Sequence, residues 1–324
     1  MSHPCVAGKD AEAKEVVRAT VLETRDNVGE GVRSAGQSDE VRALRRSNLQ
    51  FNAGAWLHSI PMSDRFRCPS AVFKVMLQFR LCLPLAFSAG VEKCDCGADA
   101  DLSFLYGWHW GTRCGKACRN LNHNRVRDII AAMYRSLKVD VEVEAKGLFR
   151  QLTSYGDFKP ADVLLPGSDT AHGSREALDI AITDPTGKVA LRRQSSWRPL
   201  MAAAIRHKDK MAVFATQKAQ AGVGGLPFVK VPLVFETTGA MGKETEKWWQ
   251  GVLILERKSR DPALPVSRKD QDLDWSFTAN AFSSYWRQAI SMSMARTMAE
   301  SVIASIGKNQ KEGVVAVHPV LDVH

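Results

Sequence analysis

Residues 159–184, KPADVLLPGSDTAHGSREALDIAITD, contain two apolar segments of strand character, and each carries an acidic residue. Asp162 directly precedes the first segment, residues 163–165, and Asp179 lies inside the second, residues 177–182. Burying a carboxylate among apolar side chains is costly unless it is paired or binds a metal. Two carboxylates on adjacent strands of a hairpin can share one divalent cation, because hard cations prefer oxygen ligands. The alternative interpretation is a strand-end cap at Asp162 and a partly exposed edge residue at Asp179.

The overall charge of the chain is strongly basic. Its 324 residues include 44 Lys and Arg against 35 Asp and Glu, a net charge of +9. This balance favours polyanionic partners, since each neutralised phosphate releases counterions. The N-terminus has no apolar segment of signal-peptide length, and the most apolar region, residues 75–91, is interrupted by Gln78 and Arg80 and too short to span a bilayer. With seven cysteines and no secretion signal, we expect an intracellular protein with reduced thiols and no membrane partner.

A cluster of potential metal ligands occupies residues 94–114, CDCGADADLSFLYGWHWGTRC. Zinc in structural sites takes four Cys or His ligands in a tetrahedron. A close Cys pair on a tight turn, followed by a His and a Cys about one helical turn apart, supplies that set, and glycines allow the sharp backbone at each turn. The predicted ligands are Cys94, Cys96, His109 and Cys114, with Cys118 and His123 as spare candidates. Four protein ligands leave no open position, so the predicted zinc site is structural.

Periodicity along the rest of the chain predicts a mixed α/β fold. An amphipathic helix in residues 121–139 carries Arg125 and Arg127 on its polar face, which is either a nucleic-acid contact or simply solvated. Residues 140–145, DVEVEA, alternate as in a strand, and the two segments around Asp162 and Asp179 follow. A basic helix in residues 199–220 and a strand in residues 228–239, with Glu236 near its end, complete the order helix, strand, strand, strand, helix, strand.

Changes in composition divide the chain into predicted regions. A poorly ordered or helical N-terminal segment (1–48) and a helical lead-in (49–92) precede the zinc knuckle (93–120) and the α/β core (121–256). A polar linker (257–275), a C-terminal helix (276–308) and a tail (309–324) follow. The stripe of Met and aromatic residues in the last helix is typical of packing rather than of a ligand site.

Several blocks, taken in order, resemble the restriction-enzyme-like endonuclease region of non-LTR retrotransposons. The resemblance covers roughly residues 50–300 and rests on the order and spacing of the blocks. They are AGAWLHSIP, FRLCLPL, the CCHC cluster, HNRVRD, KPADVLLPG, ALDIAITDP, PLVFETTG and YWRQAISMSMAR. The chain has no Tyr-x-Asp-Asp polymerase signature, so we expect a separate nuclease module, a truncated element copy or a partial gene.

The resemblance implies a nuclease core of the PD-(D/E)XK kind, with Asp162 and Asp179 binding a catalytic Mg²⁺ or Mn²⁺. The chain departs from the simplest pattern twice, since Ala161 separates Pro160 from Asp162 and the usual lysine two residues after Asp179 is replaced by Ala181. The resemblance implies that a lysine on the following helix substitutes for it. The remaining residues that it implicates are Lys210 or alternatively Lys208 for that lysine, Glu236 beside the carboxylates, and His123, Arg125, Arg127 and Lys159 as nucleic-acid contacts.

Three functions are compatible with these residues. The first is a metal-dependent DNA endonuclease acting in the nucleus on DNA, with the element's RNA as a second partner. The second is a catalytically inactive, zinc-containing nucleic-acid-binding module derived from such an element, and the third is a zinc-stabilised protein-interaction domain. Metal-dependent nicking separates the first from the others, and salt-sensitive DNA binding separates the second from the third.

Overall fold

The computed structural model describes residues 38–61, 63–85, 93–94, 96–98, 106–114, 119–145, 161–167, 170, 174–220, 228–259 and 282–311. Over these residues the fold is mixed α/β, with one four-stranded mixed sheet and helices on both faces. Lys159 and Cys118 lie outside the described residues, as do most of the predicted N-terminal segment, most of the linker and most of the tail.

The helices that precede the sheet follow the predicted periodicity. Helix α1 spans Asp39–Asn48, a short 3-10 helix spans Ala55–His58, and α2 spans Ser70–Leu81. Helix α2 ends where Cys82 takes a left-handed conformation (φ 54°), two residues before Pro84. A turn of π-helix at His109–Arg113 leads to α3, Arg119–Ser136.

The sheet contains strands β1 (Glu142–Val143), β2 (Val163–Leu165), β3 (Glu176–Thr183) and β4 (Val229–Glu236) in that spatial order. The first three are antiparallel to their neighbours, whereas β4 runs parallel to β3. The parallel pair requires a crossover, which α4 (Lys188–Arg192) and α5 (Met201–Gln220) provide. The predicted order of helix, three strands, helix and strand is confirmed. Strand β1 is shorter than predicted, because Glu144 adopts a positive φ of 52° that ends it.

The two faces of the sheet pack against different helices. One face, with Leu178, Ile180 and Leu233, joins the main core that includes α3, α6 (Lys243–Ser259) and α7 (Phe282–Lys311). The opposite face, with Ala181 and Val234, packs against Leu200 and Ala203 at the start of α5. Both faces are therefore apolar and buried, so charged side chains on these strands must be compensated locally.

Helix α7 is the main packing element of the core. Its Met and aromatic stripe is buried, as the packing interpretation predicted: Phe282, Tyr285, Trp286, Ile290, Met294 and Met298 are at most 5 % exposed. The helix extends beyond residue 308, and α6 continues to Ser259, inside the predicted linker. No helix in the described part of the chain is long and apolar enough to cross a bilayer.

Candidate functional site

The four predicted ligand residues of the CCHC cluster converge in space. One ligand atom from each of them, Cys94, Cys96, His109 and Cys114, lies within 4.8 Å of the others. The Sγ atoms of Cys94 and Cys114 are 3.7 Å apart, and Cys96 Sγ is 3.2 Å from His109 Nε2. Two thiolates on one zinc ion at about 2.3 Å each lie roughly 3.8 Å apart in a tetrahedron, whereas a disulfide bond is about 2.05 Å long. The spacing therefore fits ligands of a shared metal ion such as zinc and excludes a Cys94–Cys114 disulfide.

Two tight turns bring these ligands together. In the first, Cys94 accepts a hydrogen bond from the Gly97 N–H (2.7 Å) and donates its own N–H to Ala98 O (3.0 Å), while Gly97 takes a φ of 86°. In the second, the Cys114 N–H donates to His109 O at 2.6 Å, a link across five residues that closes the π-turn. The π-turn brings His109 and Cys114, which are five residues apart, to the same side of the turn, whereas an ordinary α-helix has 3.6 residues per turn.

The thiols differ in their electrostatic environment. Burial raises the pKa of the Cys94 thiol to about 11, whereas a hydrogen bond from the backbone at Ala98 lowers the pKa of the Cys96 thiol. Metal coordination requires thiolates, and a bound cation deprotonates a coordinating thiol outright. Within the described chain, no other group of three or more Cys, His, Asp or Glu residues has ligand atoms in such mutual reach.

The carboxylate of Asp162 lies at the start of β2, against its neighbour β3. Its Oδ2 accepts a hydrogen bond from the backbone N–H of Ile180 at 2.6 Å. The same oxygen is 3.1 Å from Nε2 of His123, on the first turns of α3. This hydrogen bond raises the pKa of His123, although burial opposes the shift. Asp162 is thus fixed beside the residue that follows Asp179.

The carboxylate of Asp179 is paired with two lysines. Its Oδ1 lies 2.5 Å from Nζ of Lys210 on α5, and its Oδ2 lies 2.8 Å from Nζ of Lys230 on β4. The side chain of Lys230 is only 4 % exposed and its ammonium lies 5.4 Å from the centre of the Phe214 ring. Both oxygens of the Asp179 carboxylate are therefore paired with ammonium groups.

Two of the predicted site residues are not brought to Asp179. Lys208 is exposed on α5, so of the two candidate lysines only Lys210 reaches the carboxylate. Glu236 pairs with Thr183, four positions along β3 from Asp179, which corresponds to roughly 13 Å along the strand. It is buried near the start of α5, where its Oε1 accepts a 3.3 Å hydrogen bond from the Ala203 N–H, and burial raises its pKa.

The predicted nucleic-acid contacts on α3 each have an intramolecular partner. Arg125 forms a 2.7 Å ion pair with Glu300 on α7, and Arg127 pairs with Asp128 and with Glu144 after β1. His123 contacts Asp162 rather than the cysteine cluster. These side chains tie α3 to its neighbours, which their sequence positions alone did not reveal.

A cavity of about 330 Å³ opens beside Ile182 and Thr183 at the end of β3, in the part of that strand that extends past the first residue of β2. Asn122 of α3 lines it from one face of the sheet, and Arg206 and Asp209 of α5 line it from the other. Asn122 precedes His123 and Asp209 precedes Lys210 in the chain, but the cavity is not lined by His123, Asp162, Asp179 or Lys210. Among the described residues, the buried Oδ1 of Asn122 and Oγ1 of Thr237 have no hydrogen-bond partner, and both residues line the cavity.

Lys230 is the site residue that sequence reasoning missed. The segment FVKVPLVFE carries it as the one charged residue between apolar positions of a strand, the same signal that identified Asp179. A charged residue inside a buried strand implies an opposite charge on a neighbouring strand. Which residue that is depends on the register of β3 and β4, which the sequence does not encode locally.

Comparison of the chain with protein-family models, with curated proteins and with solved structures finds no match in any of the three.

Proposed function

We propose that the chain is a metal-dependent DNA endonuclease with a core of the PD-(D/E)XK kind. The observation that supports it best is the ion pair of Asp179 on β3 with Lys210 on the helix that follows, next to the hydrogen bond of Asp162 with the Ile180 backbone. Asp162 bonds the backbone next to Asp179, and Lys210, one of the two lysines that the resemblance implicates, pairs with Asp179 itself.

The residues present fit a hard divalent cation with few protein ligands. Mg²⁺ is usually held by one or two carboxylates, with water and substrate phosphates completing its coordination. Asp162 and Asp179 supply that number, although a cation must share the Asp179 carboxylate with an ammonium or displace it. When bound, Mg²⁺ or Mn²⁺ would polarise the scissile phosphate and lower the pKa of a coordinated water.

The two lysines have different roles in this proposal. Lys210 is 23 % exposed in its side chain and projects from a helix that lines the cavity, so its ammonium can turn toward a phosphate oxygen and offset developing charge. Lys230 is buried on β4 and holds Asp179 in place. We therefore assign the catalytic lysine to Lys210 and a positioning role to Lys230.

The CCHC cluster is proposed to hold one structural zinc ion. Its four protein ligands complete a tetrahedral site without an open position. Cys94 and Cys114 belong to the same buried cluster as Trp110 and residues of α2 and α3. The zinc ion would therefore join the helical lead-in to the α/β core, apart from the chemistry at Asp162 and Asp179.

A second candidate function is an inactive nucleic-acid-binding module. The observation that favours it is the charge balance at Asp179, whose two oxygens are both paired with ammonium groups. A site that stays in that state would retain the fold and the net positive charge of the chain without binding the catalytic cation.

Nicking of supercoiled plasmid in Mg²⁺ or Mn²⁺ tests the proposal. We expect the intact protein to nick, and Asp162→Asn and Lys210→Met to lose nicking while still unfolding cooperatively on heating. Asp64→Asn is the matched control, since its side chain is 98 % exposed. Metal-dependent nicking that survives in Asp162→Asn would remove the assignment, and a folded wild-type protein that never nicks would favour the binding module.

A further inference from the structure

The turn after α4 presents an exposed tryptophan in a basic surface. Trp197 is 59 % exposed, whereas the other tryptophans of the described chain are at most 3 % exposed. Arg192, Arg193 and Arg198 beside it are also exposed. An exposed aromatic ring among cationic side chains is the combination with which proteins bind single-stranded nucleic acid, by stacking on bases and attracting phosphates.

The turn that carries Trp197 is fixed by hydrogen bonds. Gln194 takes a left-handed conformation with a φ of 68°, and its carbonyl accepts the N–H groups of Trp197 (2.9 Å) and Arg198 (2.8 Å). Ser195, 3 % exposed, donates its N–H to Ala190 O and its hydroxyl to Pro185 O. The ring is therefore held out on an ordered support, and little conformational entropy is lost when a ligand stacks on it.

Helix α1 forms the back of this surface. The guanidinium carbons of Arg42 and Arg46 lie 5.0 and 5.9 Å from the centre of the Trp197 ring, and Arg46 Nε donates to Ser196 O at 2.7 Å. The arginines hold one side of the indole by cation–π contact, and the exposed area of the ring remains for a base.

The charge of this surface is complementary to a phosphate backbone. Segments 39–46 and 188–198 together contain seven Lys and Arg against two Asp and Glu. One of the two acids, Asp39, is already paired with Arg42 at 2.6 Å, and that contact lowers its pKa. Val189 and Ala190 of the same α4 line the cavity at the end of β3.

We infer that Trp197 and the surrounding arginines bind single-stranded nucleic acid, with a base stacked on the indole and phosphates on Arg192, Arg193 and Arg198. The inference rests on the proposed function for the kind of polymer, and it adds the strand state and the residues that bind it. Stacking explains why an aromatic ring of this size is exposed among charges, which a duplex-binding basic surface does not require.

Binding of a labelled oligo(dT) of about 20 nucleotides to the full chain, in buffer without Mg²⁺ or Mn²⁺, tests the inference without cleavage. We expect Trp197→Ala to weaken binding by about tenfold or more, and Trp197→Phe to keep most of it, because stacking needs an aromatic face. Arg193→Ala should reduce the slope of log affinity against log salt by about 0.7, while Arg257→Ala, an exposed arginine on α6, serves as the matched charge control.

Each alternative outcome decides the matter. Unchanged oligonucleotide affinity in a folded Trp197→Ala protein would overturn the inference, and so would a loss of self-association in that variant without a loss of affinity, which would assign the ring to a protein contact. If the intact protein fails to nick DNA but Trp197→Ala still loses oligo(dT) affinity, the nuclease proposal fails and the binding surface stands. If nicking is intact and Trp197→Ala binds normally, the reverse holds.

Discussion

The CCHC cluster and the Asp162–Asp179 pair are both candidate metal sites, yet their potential ligand groups have different partners in the structure. The cysteine cluster gathers its four ligand atoms within 4.8 Å of one another. At the second site, Lys210 and Lys230 pair with Asp179, and His123 and the Ile180 N–H contact Asp162. Thiols have few strong partners besides metals, whereas a carboxylate is satisfied by any nearby cation or N–H group. The close approach of the four ligand atoms therefore supports a bound metal at the cysteine cluster more strongly than the contacts of Asp162 and Asp179 support one at the carboxylates.

Removing one cysteine ligand should produce the largest effect. We expect Cys94→Ser to lose the bound zinc and the cooperativity of unfolding, because binding of a structural zinc ion contributes directly to folding. Metal analysis and thermal unfolding of the purified protein measure both. Cys68→Ser, which changes a half-buried cysteine outside the cluster, should keep the zinc. A folded, zinc-free wild-type protein would contradict the assignment.

Replacing Asp179 should have the next largest effect. Asp179→Asn leaves the buried Lys230 ammonium without this carboxylate, and removal of one partner from a buried pair costs on the order of 3–5 kcal/mol. Urea unfolding in buffer without Mg²⁺ or Mn²⁺ measures the loss. Lys210→Met should cost less, since Asp179 retains Lys230. The double variant Asp179→Asn with Lys230→Met should recover part of the stability, and losses that simply add would contradict the proposed coupling.

The smallest expected effect is that of replacing Glu236. This variant tests whether the buried Glu236 carboxyl group has a structural role, unlike the proposed catalytic carboxylates. Burial raises its pKa above the ordinary value of 4.5, so the folded state binds this proton more tightly than the unfolded state does. Stability is then greatest below about pH 4.5 for this group and declines as the pH rises through the folded-state pKa. We expect Glu236→Gln to flatten that decline by about 1.4 kcal/mol per unit of pKa shift.

Nicking activity provides the second readout for this variant. Glu236→Gln should nick plasmid as the wild-type protein does, because the carboxyl group is several residues along the sheet from Asp179. Glu244→Gln on the exposed first turn of α6 is the control for loss of one negative charge. A nicking defect in Glu236→Gln at unchanged stability would restore Glu236 to the active site.

Local patterns in the sequence were enough for the elements of the fold and for the cysteine cluster. The helices, the strands around Asp162 and Asp179 and the ligand spacing of Cys94 to Cys114 each depend on residues close in the chain. Partners that are distant in sequence could not be found this way. Arg125 resembles a solvent-facing cation until α7 brings Glu300, 175 residues away, within 2.7 Å.

The same limit applied to the carboxylate site. The resemblance narrows the catalytic lysine on α5 to Lys208 or Lys210, but only the packing of that helix on β3 selects Lys210. The pairing of Lys230 with Asp179 depends on the parallel register of β3 and β4. The sequence predicts Glu236 in the same cluster, because it does not reveal how far Glu236 lies from Asp179 along the sheet. Interactions that require strand register or helix docking are set by the whole core.

Anomalous scattering from one crystal grown with Mn²⁺, measured at the zinc and manganese edges, compares both sites directly. The proposed function predicts zinc at Cys94, Cys96, His109 and Cys114, and manganese with oxygen atoms of Asp162 and Asp179 at about 2.0–2.6 Å. At least one lysine ammonium should then have moved away from Asp179. Zinc at the cysteine cluster with no manganese at the carboxylates, and both lysines still paired with Asp179, would contradict the nuclease proposal and leave a zinc-containing binding module.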